Sequence, residues 1–230
     1  MGPPGSGKGT QATSIADDLG VDAVSSGELF RDHQRRDTEL GRLARSYMDQ
    51  GVYVPDDVTI KMVMEWINDP AHSAGFVLDG FPRTHAQAEA LDAEMKSLGG
   101  VDRVVFIKVS KDELIRRLTG RLICRNCQTP YHLLFSPPAT KGMCDKCGGE
   151  LYQRDDDQAD VVTTRIQIYN QETEPVVDYY RRSSILREVD GEQAVEDVGN
   201  LGTGPPAEGR LLVQHRGHPP LGVEARLGSE

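Results

Sequence analysis

A glycine-rich run at residues 2–10, Gly-Pro-Pro-Gly-Ser-Gly-Lys-Gly-Thr, constrains the fold of this chain more than any other stretch. Its glycines let consecutive backbone N–H groups turn inward around an anion. Residues 11–16 then predict a helix, whose N-terminal dipole end would face the same anion. The run follows the phosphate-loop pattern G-x-x-x-x-G-K-[ST], except that Gly9 takes the Ser/Thr position and Thr10 follows it. It predicts that Lys8 lies across the outer phosphates of a nucleotide; the alternative is a Gly/Pro-rich start without regular structure.

Predicted strands and helices alternate along the chain after this loop. Short apolar runs predict buried strands within residues 22–25, 75–83, 103–109 and 185–191. Helical spacing of apolar residues predicts helices at 39–50, at 56–67 and from Thr84 onward, and a capping box predicts another at 110–113. The alternation indicates an α/β fold, with a parallel sheet that has helices on both faces. Such sheets bind ligands beyond the carboxyl ends of their strands, where the loop, Ser25, Asp79 and Ser110 all fall.

Four cysteines form two tight pairs, Cys124-x2-Cys127 and Cys144-x2-Cys147, with sixteen residues between the pairs. This spacing is typical of a zinc ribbon with tetrahedral ligation. Two disulfides are the alternative, but a reducing compartment favours the metal. Because protein ligands would fill all four positions, the zinc would be structural rather than catalytic.

The composition narrows the possible partners and compartments. The chain has 230 residues and a net charge of −10, which argues against duplex nucleic acid as its main partner. No apolar run approaches the length needed to cross a bilayer, and the start carries no apolar signal segment. We therefore expect a cytoplasmic protein with one sizeable core and a small insert.

The motifs, taken in order, resemble those of a known enzyme family. The Gly-Lys-Gly-Thr ending of the loop is similar to that of nucleoside monophosphate kinases. The further matches lie at residues 25–28, 79–83 with Gln87, 120–121, the cysteine insert, and 153–157 with Arg165. From residue 2 to about residue 198 the chain resembles the adenylate kinases of the long-lid type. The resemblance implies a kinase core at 1–198 that contains a monophosphate-binding domain at 25–54 and a mobile zinc-binding lid at 120–157.

The same resemblance implies roles for individual residues. The catalytic cations would be Lys8, Arg83, Arg121, Arg154 and Arg165. ATP would bind at Gly5, Ser6, Gly7, Lys8, Gly9, Thr10, Arg121, Pro130, Tyr131 and Gln193. AMP would bind at Ser26, Arg31, Val52, Tyr53, Val54, Gly80, Phe81, Pro82, Arg83, Gln87, Arg154 and Arg165. Asp79 would hold Mg2+ through water, and Gln87 would present its amide to adenine.

Each of these residues also has a purely structural interpretation. Any single arginine is more simply a solvated surface residue, although five at matching positions argue against that. Asp79 is otherwise a partner for a nearby arginine, Ser26 a helix cap, and Gln87 a helix-surface residue. Asp156 and Asp157 either orient the arginines or belong to a solvated acidic run.

Both ends of the chain depart from the family pattern. Met1 alone precedes the loop, where the family has a buried apolar strand in the middle of the sheet. Without that strand, neighbouring strand edges would be unpaired and apolar faces uncovered. From residue 199 the sequence loses apolar periodicity, which predicts a disordered tail at 199–230.

The sequence therefore predicts a monomeric enzyme that transfers a phosphoryl group reversibly from ATP to AMP under a closing lid. It would require Mg2+ with ATP, contain structural Zn2+, and bind neither nucleic acid nor membrane. One alternative is a kinase for another nucleoside monophosphate. The departure at the start of the chain motivates a second alternative, a nucleotide-binding protein with impaired activity. A zinc-ribbon module that binds nucleic acid is the third.

Overall fold

A computed structural model of the chain describes residues 1–194 and 197–198. Within them the strands are β1 (Asp22–Ser25), β2 (Phe76–Asp79), β3 (Val104–Lys108), β4 (Arg121–Cys124), β5 (Pro130–His132), β6 (Leu151–Tyr152) and β7 (Leu186–Asp190). The α-helices are α1 (Lys8–Leu19), α2 (Ser26–Arg35), α3 (Glu39–Met48), α4 (Asp56–Ile67), α5 (His85–Met95), α6 (Lys111–Thr119), α7 (Ala159–Ile168) and α8 (Glu174–Arg181). The tail predicted at 199–230 lies outside the described residues.

The four strands predicted from apolar runs form two parallel pairs. β1 runs beside β2 with Ser25 opposite Asp79, and β3 runs beside β7 along its whole length. The parallel pairing and the intervening helices confirm the α/β fold class. β1 is less buried than predicted, because it has one strand neighbour in the described chain and leaves Asp22 and Ala23 exposed.

A cleft of about 230 Å³ separates the two pairs, between β2 and β3. Met1 starts to bridge it: its amino group donates to the Val105 carbonyl, and its own carbonyl accepts from the Ile107 N–H at 3.0 Å. No strand lies between β2 and β3 among the residues that the structure describes. Within the described residues the sheet is therefore split, and the expected uncovered apolar face is present. Burial, with help from nearby Lys8, lowers the pKa of the Met1 amino group to about 5.

The helices cover the strands at the predicted positions. α4 has its predicted bounds, and the Thr84 hydroxyl caps α5 by accepting from the Gln87 N–H at 3.2 Å. The largest apolar cluster joins α2 to α5 and includes Phe30, Val63 and Phe81. Burying each such side chain contributes about 1.5–3 kcal/mol. Among the described helices, none combines the length and the apolar character that spanning a bilayer demands.

The capping box predicted at residues 110–113 is wrong. The Ser110 side chain accepts no hydrogen bond from the first turn of α6, and its N–H donates to the Glu192 carboxylate at 2.7 Å. Glu113 instead pairs with Arg117 one turn later, at 2.8 Å. The Ser110 N–H thus binds a side chain from the segment after β7 instead of a side chain in the first turn of its own helix.

A small antiparallel sheet inserts between α6 and α7. β4 pairs with β5 on one side and with β6 on the other. Its first residue, Arg121, follows the end of α6 closely, and its last, Cys124, belongs to the cysteine cluster. One short strand therefore connects the end of α6 to the cysteine cluster.

Candidate active site

The glycine-rich run forms a tight loop that ends at the first residue of α1. Gly5 and Gly7 have positive φ angles of 82° and 93°, which favour glycine. A Cβ atom on Gly5 would lie 2.8 Å from Leu118 Cγ, so the loop presses closely against α6. The Lys8 ammonium turns back to donate to the Pro3 carbonyl at 2.8 Å. The loop thus holds a lysine beside the N-terminus of a helix, where anions bind.

Lys8 carries its charge in an environment crowded with other cations. Burial lowers the pKa of Lys8 to about 8; nearby Asp79 raises it, while Arg83, Arg165 and Arg121 lower it further. The ammonium is therefore partly deprotonated near pH 8 in the free protein. An anion bound against it would restore the charged form.

A cavity of about 120 Å³ opens beyond the carboxyl ends of β1 and β2. It contains twelve residues predicted for the site: Lys8, Ser26, Arg31, Val52, Tyr53, Val54, Gly80, Phe81, Pro82, Arg83, Gln87 and Arg165. The position agrees with the rule for parallel sheets. Segments more than a hundred residues apart in sequence meet here.

Arg83 is held against the end of β2 by several contacts. Its Nε donates to the Gly80 carbonyl at 2.6 Å, and its terminal nitrogen reaches Ser26 Oγ at 3.5 Å. Ser26 Oγ also donates to the same carbonyl at 2.6 Å, and the guanidinium lies 5.1 Å from the centre of the Tyr53 ring. The side chain is thus oriented before any ligand binds, with further N–H groups available to an anion.

Arg31 and Arg154 are partly buried arginines that lie close to one another. The Nε atom of each is buried and has no hydrogen-bond partner among the described residues. Burial, followed by the charge of Arg154, lowers the pKa of Arg31 to about 9. Burial, followed by the charge of Arg121, likewise lowers the pKa of Arg154. Unpaired donors and unfavourably placed cations both indicate that this region accepts an anion.

Asp157 joins two further arginines at the base of the inserted sheet. It is completely buried and accepts two bonds from Arg121, at 2.8 and 2.5 Å, and one from Arg165, at 2.9 Å. Burial raises the pKa of Asp156, but the surrounding arginines outweigh that effect and hold it below its usual range. Asp155 is exposed, as a solvated acidic residue would be. Asp156 and Asp157 are not exposed, so the interpretation of this segment as a solvated acidic run does not apply to them.

Asp79 has the features of a carboxylate that serves a cation. Its Oδ1 is buried with no hydrogen-bond partner among the described residues, which a structural partner of an arginine would not leave open. Its Oδ2 lies 3.5 Å from the position that a Cβ on Gly9 would take, and so next to the phosphate loop. The residues present therefore fit Mg2+, which Asp79 would hold next to the phosphate loop.

The four cysteines converge in the inserted sheet. All four sulfur atoms lie within 4.8 Å of one another, and the closest pairs are 3.3–3.5 Å apart. These separations exceed the roughly 2.05 Å of a disulfide, and all four thiols are free. The arrangement is that of a four-thiolate metal site, and the thiol ligands fit zinc.

Of the ten residues predicted to contact ATP, Lys8 lines the cavity and the other nine do not. Pro130 and Gln193 are exposed. The Tyr131 hydroxyl accepts from the Asp145 N–H at 2.8 Å and lies 3.4 Å from Cys144 Sγ. Their contact with ATP stays a prediction, as do the domain boundaries at 25–54 and 120–157.

Sequence reasoning missed three polar residues around the cavity. Thr173 Oγ1 donates to the Arg83 carbonyl at 2.8 Å and lies 2.8 Å from the Tyr53 hydroxyl. With Tyr169 it belongs to a π-helical turn between α7 and α8, a distortion often found at functional sites. Asp56 bonds to Gln87 at 2.7 Å. Only Asp56 had a local signal, as an acidic residue in the first turn of a predicted helix.

Comparisons with known proteins agree with this arrangement. The family model described as adenylate kinase matches residues 1–185. A protein named adenylate kinase from Bacillus pumilus is 51% identical over 199 residues, which cover 86% of this chain and 92% of the relative. Proteins of that name from Archaeoglobus fulgidus and Carboxydothermus hydrogenoformans are 49% and 48% identical over the same length, with 92% and 93% of the relatives covered.

Proposed function

The chain belongs to the adenylate kinase family, and from this premise we propose that it transfers a phosphoryl group reversibly between ATP and AMP to give two ADP. One observation carries the proposal: Lys8 and three arginines from distant segments, Arg31, Arg83 and Arg165, line a single cleft. Two more, Arg121 and Arg154, lie close enough for their charges to lower the pKa of Lys8 or Arg31. The nearby carboxylates, Asp79, Asp156, Asp157 and Glu28, balance them only partly. In a chain of net charge −10, such a cationic site is suited to bringing two polyanions together.

The reaction needs charge neutralisation and alignment rather than a covalent nucleophile. A phosphate oxygen of AMP attacks the γ-phosphorus of ATP while the bond to the β–γ bridging oxygen breaks, so that each product is ADP. Lys8 would neutralise the outer phosphates of ATP. Arg31 and Arg83 would hold the AMP phosphate, while Arg154 and Arg165 would contact the transferred group. Arg121 would lie against ATP from the inserted sheet.

Metal ions enter this proposal in two different ways. Asp79 would hold Mg2+ through water, and the bound ion supplies charge neutralisation on the ATP phosphates. The cysteine site would hold Zn2+ as a purely structural ion, because its four ligands are all protein thiols. Residues 120–157 would close over the phosphates and exclude water. A cytoplasmic, monomeric state also remains a prediction.

A coupled assay of ADP formation tests the proposed function. With ATP and Mg2+ present, we expect AMP to be used with a kcat/KM at least about tenfold above those of GMP, CMP and UMP. Omission of the monophosphate is the control for ADP formed by hydrolysis of ATP. A faster reaction with another monophosphate would establish the alternative kinase specificity, and no ADP with any of them would overturn the proposal.

The split sheet favours a second candidate, a protein that binds nucleotides without transferring phosphate. β2 carries Asp79 at its end, and its edge at the cleft lacks a strand partner among the described residues. Imprecise positioning of this strand would reduce transfer more than binding. A thermal shift with ATP, without ADP formation on addition of AMP, would favour this candidate.

Removing the metal from the cysteine site is expected to weaken the whole chain. Chelation, or the change Cys144→Ser, should lower the melting temperature by about 5 °C or more, because the small inserted sheet has little apolar core of its own. Native mass spectrometry should find one zinc per chain before chelation and none after it. Zinc added back should restore the melting temperature, whereas calcium should not. Sensitivity to a reductant, without any bound metal, would instead support disulfides.

A further inference from the structure

Gln87 is fixed in one orientation by groups of opposite hydrogen-bonding character. Its Oε1 accepts from the Arg83 backbone N–H at 2.8 Å, and its Nε2 donates to Asp56 Oδ1 at 2.7 Å. A half-turn of the amide would set its carbonyl against a carboxylate and its NH2 group against an N–H. Both bonds would be lost and both new contacts would be repulsive. The contacts themselves therefore assign the amide orientation.

Asp56 is well placed to impose that orientation. It begins α4, and its second oxygen accepts from the Thr84 hydroxyl at 2.7 Å. Thr84 is also the cap of α5, the helix that carries Gln87. The carboxylate is thus tied at once to the amide and to the start of the helix from which the amide projects.

We propose that Asp56 is a positioning residue that selects a 6-amino purine over a 6-oxo purine by fixing the Gln87 amide. This inference rests on the proposed function, in which the cavity binds AMP. Gln87 is only 1% exposed and lines that cavity. Its orientation therefore determines which donors and acceptors the base meets.

The remaining hydrogen-bonding capacity of Gln87 explains the discrimination. An amide has two N–H donors and an oxygen with two lone pairs, and the contacts to Asp56 and Arg83 use one of each. One donor and one acceptor remain for the base. Adenine presents an amino donor beside a ring-nitrogen acceptor and so complements this pair. A 6-oxo purine places an oxygen where the amino group would be, against Oε1, and the amide cannot rotate to relieve the conflict.

Substitutions at Asp56, with AMP and IMP as the alternative acceptors, test the proposal. IMP is the most informative probe, because it replaces the 6-amino group by an oxygen without adding the 2-amino group of GMP. In Asp56→Ala the preference for AMP over IMP in kcat/KM should fall about tenfold, largely through KM. Asp56→Asn should lose less, about threefold, since it can still offer a carbonyl oxygen to Nε2. Asp57→Ala is the matched control, because this neighbour lies in the same helical turn but is exposed.

The outcomes separate positioning from a merely structural role. If the Asp56→Ala rates with AMP and IMP fall equally, so that the preference is unchanged, the proposal is overturned. If that variant does not fold, Asp56→Asn decides, and a preference equal to that of the unmodified chain overturns the proposal. An unmodified chain that forms no ADP from ATP and AMP overturns the proposed function, and this inference with it.

Discussion

Replacing Lys8 by methionine is expected to lower kcat/KM for ADP formation about a thousandfold, because it removes the only lysine that lines the site in the described chain. Methionine has a similar length and no charge. The change also relieves the burial of a cation among Arg83, Arg121 and Arg165. We therefore expect the melting temperature to stay the same or to rise slightly. Loss of activity without loss of stability would mark Lys8 as part of the binding machinery.

The pH dependence of this reaction supplies a second readout. Because burial lowers the pKa of Lys8 to about 8, the free protein loses this charge as pH rises through 8. The KM for ATP should therefore increase above pH 8 in the unmodified chain, and the Lys8→Met variant should lack this increase. Lys61→Met is the control, since Lys61 is exposed on α4 and its nearest acidic partner is 4.0 Å away. A Lys8→Met variant that keeps more than a tenth of the activity would contradict the proposed site.

Replacing Asp157 by asparagine should impair both stability and catalysis. Asparagine has nearly the same shape, but it turns one acceptor oxygen into a donor that faces an arginine N–H. Arg121 and Arg165 would then share a buried neutral group instead of a carboxylate. Breaking a buried ion pair on one side typically costs about 3–5 kcal/mol of unfolding free energy. In addition, misplacement of the two guanidinium groups should lower kcat/KM about a hundredfold relative to the unmodified chain.

Denaturant unfolding and the ADP assay together check this expectation. Asp155→Asn provides the matched control, because Asp155 lies in the same turn, carries the same charge and is exposed. It should change the unfolding free energy by less than about 0.5 kcal/mol. An Asp157→Asn protein that is as stable and as active as the control would show that the buried carboxylate does not organise the arginines.

Several elements of the fold could be predicted because their signals are local. α4 begins and ends at the predicted residues, Asp56 and Ile67, since apolar spacing and a preceding proline both act within one or two turns. The prediction of a capping box at Ser110 was wrong because a distant residue replaced the local contact. Its residues had the right types, but Glu192, far away in sequence, supplied the acceptor for the Ser110 N–H instead.

The chemistry of this chain was determined by short segments of sequence, and its assembly by contacts between distant ones. The glycine-rich loop with its lysine could be interpreted from a few neighbouring residues, because backbone freedom is a local property. The same holds for the two cysteine pairs, whose spacing and ligand type are typical of a metal site. No local sequence pattern predicts that Asp157 pairs with Arg121 and Arg165. The same is true of the contact by which Asp56 fixes Gln87. Only the tertiary structure decided them, since a buried charge or amide takes its partner from whichever segment the packing brings within hydrogen-bonding distance.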